Sequence, residues 1–133
     1  MTRSTMKISV ITVCFNSAAT IVDTLKSVEL QTHDLIEHIV VDGASRDATV
    51  GLVRNNGPRV ARLSSEPDTG IYDAMNKGLA MATGDMVGFL NADDVFASAD
   101  AVAQIAAAAS APRHRRSRTR RLRSGTRPCR PWP

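Results

Sequence analysis

Two adjacent carboxylates, Asp93 and Asp94, follow closely on the apolar run Met86–Leu90 (MVGFL). Ionised groups at the end of a buried segment are unfavourable unless a positive charge or a hydrogen-bond donor meets them; left alone, their pKa would rise. A hard divalent cation, Mg²⁺ or Mn²⁺, meets that need. It takes carboxylate oxygens and completes its shell with water and phosphate oxygens. The local alternative is that either acid caps the next helix or closes a turn with Asn91. Asp42 ends a second apolar run and precedes Gly43, which permits a sharp turn or the close approach of a ligand. Its carboxylate could accept a hydrogen bond from the N–H edge of a nucleobase, or fold back in an Asx-turn onto Ala44 or Ser45.

The stretch Glu66–Ala80 begins as a turn at Pro67 and Gly70 and continues with helical spacing. Asp73 and Lys77 lie at i, i+4, an arrangement that stabilises a helix by ~0.3–0.5 kcal/mol and is a complete explanation of both. Gly78 costs that helix ~1 kcal/mol relative to Ala, which points to tight packing or close backbone approach. Cys14 and Cys129 form no disulfide framework or metal-ligand spacing, so a reducing compartment is the default. His33, His38 and His114 form no ligand set and read as solvated or locally bonded.

Several elements must hold these residues. Ile8–Cys14, Ile36–Val41, a weaker Val60–Leu63 and Met86–Leu90 are short apolar runs, suited to strands buried on both faces of a parallel sheet. Between them the apolar spacing is helical: Ile21, Leu25 and Val28, then Ile71, Met75 and Leu79, then Val102, Ile105 and Ala109. Ser45 and Ser98 are placed to cap helices whose first turns hold Asp47 and Asp100. Strand alternating with helix specifies an α/β fold with right-handed crossovers. Ligands of open α/β sheets bind beyond the carboxyl ends of the strands. That directs attention to Phe15 and Asn16, to Asp42–Ser45 and to Asn91–Asp94, which should share one rim.

The charge is segregated. Residues 1–111 carry 8 Lys and Arg against 13 Asp and Glu, a net of −5, whereas residues 112–133 carry 9 Arg and no acid. The first part has the aliphatic composition of one globular domain; the second cannot build a core and reads as a disordered Arg/Pro-rich tail. The tail is either a basic arm for nucleic acid or anionic lipid, or the out-of-frame translation of a GC-rich gene. Arginines without interleaved aromatics or a folded platform argue against specific nucleic-acid recognition. The loss of every Lys, Asp and Glu favours the frameshift, which reading the other two frames of the coding DNA would test. Ile8–Phe15 is too short and too β-branched for a signal peptide, and no run approaches the ~20 apolar residues of a membrane span.

Together, ISVITVCFN (8–16), VVDGASRDAT (40–49) and DTGIYDAMNKGLAMATGDMVGFLNADD (68–94) resemble glycosyltransferase family 2, in order and in register over about residues 7–105. The likeness is greatest to bacterial members that build exopolysaccharide, O-chain or glycolipid sugars. The resemblance implies a GT-A fold, a Rossmann-like and mostly parallel sheet flanked by helices, here C-terminally truncated. It divides the chain into a flexible 1–6, a partial nucleotide-sugar-binding domain over 7–111, and the tail.

The resemblance also implies site roles. Phe15 matches the position beside the nucleobase and Asp42 the one that bonds its N–H edge. Asn76, Lys77 and Gly78 match a segment near the nucleotide. Asn91-Ala92-Asp93 falls on the family's Asp-x-Asp motif with Asn in the first place, which removes a charge and keeps an acceptor for a ribose hydroxyl. The metal goes to Asp93, with Asp94 second. The expected partners are a nucleoside-diphosphate sugar, UDP-linked by family habit, and a saccharide or lipid-linked acceptor, with transfer by inverting displacement. The expected location is cytoplasmic, with possible peripheral attachment at the inner face of the membrane. The general base of the family lies downstream of the metal motif, where Asp100 is the only acid left. Little turnover is therefore expected of this chain. The competing classes are a non-catalytic nucleotide- or metal-binding module and a nucleic-acid-binding protein acting through the tail.

Overall fold

The computed structural model describes residues 6–110. Flexibility of the N-terminus and the tail, and the reading of His114 and Cys129, fall outside the described residues. Within them strand and helix alternate: β1 (Ile8–Cys14), α1 (Ile21–Glu29), β2 (Ile36–Asp42), α2 (Thr49–Asn56), β3 (Val60–Ser65), α3 (Ile71–Met81), β4 (Met86–Phe89) and α4 (Ala101–Ser110). The strands form one sheet in the order β3-β2-β1-β4, with every pairing parallel. All seven residues of β1 are buried, as expected of a central strand covered on both faces.

Side-chain alternation divides the core. Ile8, Val10 and Cys14 face α1, α2 and α4 through Val28, Leu25, Ile21, Val53, Val102 and Ala106. Ile11 and Val13 face α3 with Ile39, Val41 and Ala74. Of the apolar stripe expected on α3, Ile71 and Met75 pack against this cluster half-buried, and the deepest positions lie one residue to the side. Leu79 is 44% exposed, while Ala74 and Gly78 are buried. The reason is steric: a Cβ at Gly78 would run into the Ile11 side chain, so α3 lies against β1 on its smallest residues. In α4 the buried positions are Val102 and Ala106, and Ala109 is exposed.

Neither expected serine cap forms. Ser45 Oγ donates to the Asp42 carboxylate and α2 begins four residues later; there Asp47 Oδ1 accepts from Thr49 N at 3.0 Å. Ser98 Oγ donates to Asp100, and the amide of Gln31 serves α4 instead, its Oε1 accepting from Val102 N at 3.0 Å. Arg59, at the entry to β3, donates to the carbonyl oxygens of Gln31, His33 and Asp34 and to Val28 O, which also accepts from Gln31 N.

The amino edge of the sheet is closed by polar contacts. Buried Glu37 accepts from Ser9 Oγ (2.8 Å), Thr83 N (2.9 Å) and Thr83 Oγ1 (3.0 Å), with Lys7 Nζ 3.8 Å away. These bonds lock the α3–β4 connection under β1. The carboxyl edge, by contrast, carries the loops that hold the candidate site.

Candidate functional site

Because β2, β1 and β4 run parallel, their exits open on the same edge. Cys14 is level with Asp42 and Ile11 with Phe89. The chain lays β2 and β3 to one side of β1 and then returns to lay β4 on the other. The topological switch point therefore lies between β1 and β4, where open α/β sheets form their ligand crevice. Asp42 ends β2 on one side of β1 and the Asp93–Asp94 pair follows β4 on the other, so both lie toward the carboxyl edge of the sheet.

The β1 and β2 exits are tied into one ledge. Asn16 N donates to Ser45 Oγ (2.7 Å), Arg46 N to Asn16 Oδ1 (2.8 Å), Ser17 N to Thr49 Oγ1 (2.8 Å) and Ala18 N to Asp47 Oδ2 (3.2 Å). Asn16 (φ 49°) and Ala44 (φ 66°) occupy the left-handed region that residues with a Cβ rarely adopt. Such strain, on the order of 1–3 kcal/mol per residue, persists where surrounding bonds over-determine it and clusters at ligand sites. Phe15 is half-buried at the root of this ledge.

Asp42 is fully buried. Its Oδ1 accepts from Ser45 Oγ (2.5 Å) and Cys14 Sγ (3.4 Å), and its Oδ2 from Ser45 N (2.8 Å) and Ser65 Oγ (2.8 Å). Four donors fill the roughly four lone-pair sites of a carboxylate. The Asx-turn onto Ser45 is thus the geometry that forms, and a nucleobase would reach Asp42 only after Ser45 or Ser65 let go. Burial, and then the Asp42 carboxylate, push the Cys14 thiol well above its ordinary pKa; the charges of Asp47 and Asp68 act in the same direction, so three acids gather around this strand end. The Asp47 carboxyl is held below its usual range mainly by the Thr49 hydroxyl, against an opposing effect of burial, with help from the N–H groups of Thr49 and Ala18.

Across the crevice, Asp94 N donates to Asn91 O at 3.0 Å, closing a turn that carries Asp93. Buried Thr24 on α1 secures it, its hydroxyl lying 2.9 Å from Ala92 O and 2.6 Å from Asp94 O. Ser27, one turn further along α1, accepts from Phe96 N at 3.2 Å. Asn91, Asp93 and Asp94 are each partly accessible on this pinned turn. No group of three or more His, Cys, Asp and Glu suited to a metal occurs among the described residues. Asp93 and Asp94 still fit a hard cation of the Mg²⁺ type, which needs only one or two protein carboxylates when phosphates and water supply the rest.

Residues of α3 stand differently. Lys77 turns back onto the loop after β3, with Nζ 2.9 Å from Pro67 O, 3.1 Å from Glu66 Oε1 and 3.8 Å from Asp73 Oδ2, so the i, i+4 pair is its longest contact. Asn76 is exposed, and Gly78 serves packing rather than the rim. Downstream, Asp100 is bonded to Ser98 Oγ (2.7 Å) and Gln104 Nε2 (2.8 Å), and these bonds hold its pKa down. Reading the sequence missed Thr24, Ser65 and Asp68. Thr24 and Ser65 act across long sequence separations, whereas Asp68 bonds Gly70 N two residues on and lies against Gly43.

The sequence model described as Glycosyl transferase family 2 matches residues 9–121, running past the change of composition at 112. An uncharacterized glycosyltransferase of Mycobacterium tuberculosis is 46% identical over 104 residues, covering 77% of this chain and 40% of the relative. Among solved structures, a mannosyltransferase from Pyrobaculum calidifontis in complex with GDP-Man and Mn²⁺ superposes with a TM-score of 0.73 at 29% identity, over 84% of this chain and 34% of that one. S. aureus TarS 1–349 in complex with UDP-GlcNAc gives 0.71 at 29% identity, over 77% and 30%. The chain thus spans about two-fifths of the curated relative's length. No described helix is long and apolar enough to cross a membrane.

Proposed function

Because this chain belongs to glycosyl transferase family 2, we propose that residues 7–111 hold the nucleoside-diphosphate sugar of a glycosyltransferase against the carboxyl rim of the sheet. The supporting observation is the common rim itself: the β1, β2 and β4 exits flank one switch-point crevice, with acids on either side. Phe15 packs beside the base, Asn91 accepts from a ribose hydroxyl, and Asn76 and Lys77 line the approach along α3. Asp93 takes a divalent cation, Mg²⁺ or Mn²⁺, with Asp94 as the second ligand. That ion, when bound, would neutralise the diphosphate and stabilise the departing nucleoside diphosphate. Thr24 contributes by fixing the turn, so that the acids need little reorganisation on binding.

The full reaction is transfer of the sugar to a hydroxyl of a saccharide or lipid-linked acceptor at the cytoplasmic side of the membrane. The hydroxyl attacks the anomeric carbon opposite the leaving group and inverts it, and a base must take its proton. Asp100, the only acid after Asp94, is engaged by Ser98 and Gln104. The described residues accordingly serve donor binding, and Asp100 is not free to take that proton.

Calorimetric titration with UDP- and GDP-sugars, with Mn²⁺ and then with EDTA, tests the donor-binding reading. Binding should require the metal. Asp93→Asn should weaken it by about 10–100-fold, the range for losing a hydrogen bond or ion contact to a charged group, and Asp94→Asn by less. Metal-independent binding, or wild-type affinity in both variants, would overturn the assignment.

A further inference from the structure

Thr24 and Ser27 on α1, and Gln31 just beyond its end, form one polar line against the segment 91–100, which is neither helix nor strand. Thr24 Oγ1 shares its proton between Ala92 O (2.9 Å) and Asp94 O (2.6 Å). Ser27 Oγ accepts from Phe96 N (3.2 Å) and donates to Thr24 O (2.9 Å). Gln31 Nε2 donates to Ser98 O (2.8 Å), and its Oε1 accepts from Val102 N (3.0 Å). Thr32 N adds a bond to Ala99 O at 2.8 Å. The contacts advance in step along both stretches of chain, so the segment is laced to α1 over its length. Thr24 and Gln31 are buried, and Ser27 is half-buried. Apolar side chains could fill the same space; what a fully bonded polar line adds is a single register.

We propose that Ser27 and Gln31 act with Thr24 as positioning residues of the cation site: the lacing holds residues 91–100 as one rigid strap and thereby sets where Asp93 and Asp94 present their carboxylates. This rests on the donor-binding reading above and deepens it, extending the hold on the acids from one hydroxyl to the far end of α1. The two acids stand in the first turn of the strap, closed by Asp94 N on Asn91 O. With Phe96 N and Ser98 O released, that turn would hang on the Thr24 hydroxyl alone and could slide along the helix. Gln31 thus acts at a distance, roughly 10 Å down the helix axis from Thr24 at the ordinary rise per residue. A small hard cation demands near-ideal octahedral geometry at short bonds, so looseness in its carboxylates converts directly into lost affinity.

Three quantities test this on the 133-residue chain: Mn²⁺ affinity in the presence of UDP, hydrogen exchange at the Asp94 and Phe96 amides, and urea unfolding. Thr24→Val keeps the shape and deletes the hydroxyl; it should weaken Mn²⁺ by about tenfold, the low end for groups that hold a metal's ligands. Thr24→Ser should restore the affinity. Gln31→Leu should weaken Mn²⁺ by about threefold or more and speed exchange at Asp94. Ser27→Ala, the gentler change, should do the same even if Gln31→Leu does not fold. Ile39→Val alters the core on the α3 side of the sheet, and should lower the urea midpoint while leaving Mn²⁺ affinity unchanged. Lower stability in Gln31→Leu and Ser27→Ala with undiminished Mn²⁺ affinity would overturn the proposal. Unaltered exchange at Asp94 in both variants would overturn it too, and that result can be read whether or not the chain binds nucleotide. Failure of the wild type to bind Mn²⁺ with UDP would instead remove the donor-binding reading.

Discussion

His38 sits wholly inside the sheet, its Nε2 2.8 Å from Thr12 Oγ1. Burial, with a contribution from the charge of Arg59, lowers its pKa from 6.5 to about 3. The unfolded chain takes up this proton near pH 6.5 and the folded chain not until about 3. Between those values the unfolded state binds more protons. The stabilisation from a neutral His38 is therefore complete above pH 6.5 and drains away as the pH falls toward 3, by at most about 1.4 kcal/mol per pH unit. Urea unfolding between pH 4 and 7 should reveal this slope, and His38→Gln, which keeps a partner for Thr12, should flatten it; an unaltered slope would assign the acid sensitivity elsewhere. At this scale the sequence was only partly legible. His38, expected to be solvated or locally bonded, is instead buried against Thr12 on the neighbouring strand, whereas Asp42 was correctly marked as the end of a strand. That its four bonds come from Cys14, Ser45 and Ser65 could not be read, because two of those partners reach it only across the sheet.

Elements position the rim through close contacts of their own. The approach of α3 to β1 depends on Gly78, where an added Cβ meets the Ile11 side chain. Gly78→Ala gains about 1 kcal/mol of helix propensity yet should lose about 1–3 kcal/mol to overpacking. The net is a chain unfolding at lower denaturant concentration. Combining it with Ile11→Ala should cost less than the two single changes added together, since one makes room for the other. A stabilised Gly78→Ala would mean that the helix can slide outward freely. The glycine's cost inside a helical pattern foretold a tight contact; of the expected stripe, Ile71 and Met75 pack against the core and Leu79 does not. Ile71, Met75 and Leu79 have the right spacing, as do Ala74 and Gly78, and hydrophobicity alone favours the bulkier set. The small residues lie deepest because they let the backbone come near, with Ile71 and Met75 packed beside them. The caps were misread for a related reason: Gln31, far from α4 in sequence, supplies an acceptor to that helix that no nearby serine provides.

For the whole molecule, the described residues offer groups for a donor and a cation, while Asp100, the acid that follows them, is held by Ser98 and Gln104, so donor binding and transfer should be separable. With a nucleotide sugar, Mn²⁺ and candidate saccharide or lipid-linked acceptors, the 133-residue chain should release nucleoside diphosphate no faster than the uncatalysed background, while still binding the donor. Measurable transfer would mean that a base exists which the described residues do not show. The acidic body and the basic tail give the same chain two electrostatic characters. If the tail is out of frame, one of the other reading frames should continue past codon 111 into a segment containing Asp and Glu.

The order of strands and helices, the rim on which the acids would open and the family itself were all written in the sequence. Each depends on short-range patterning: apolar runs, helical spacing, and polar groups at strand ends. Which acid remains available on that rim was decided only by the tertiary structure. Free acceptor capacity depends on every donor that the fold brings within reach, so Ser45, Ser65 and Cys14 saturate Asp42 while Asp68 Oδ2, buried against Gly43, accepts no hydrogen bond among the described residues. Strand order was decided there too. Local patterns specify that β1 and β4 are strands, but long-range pairing alone makes them neighbours and opens the crevice between their ends.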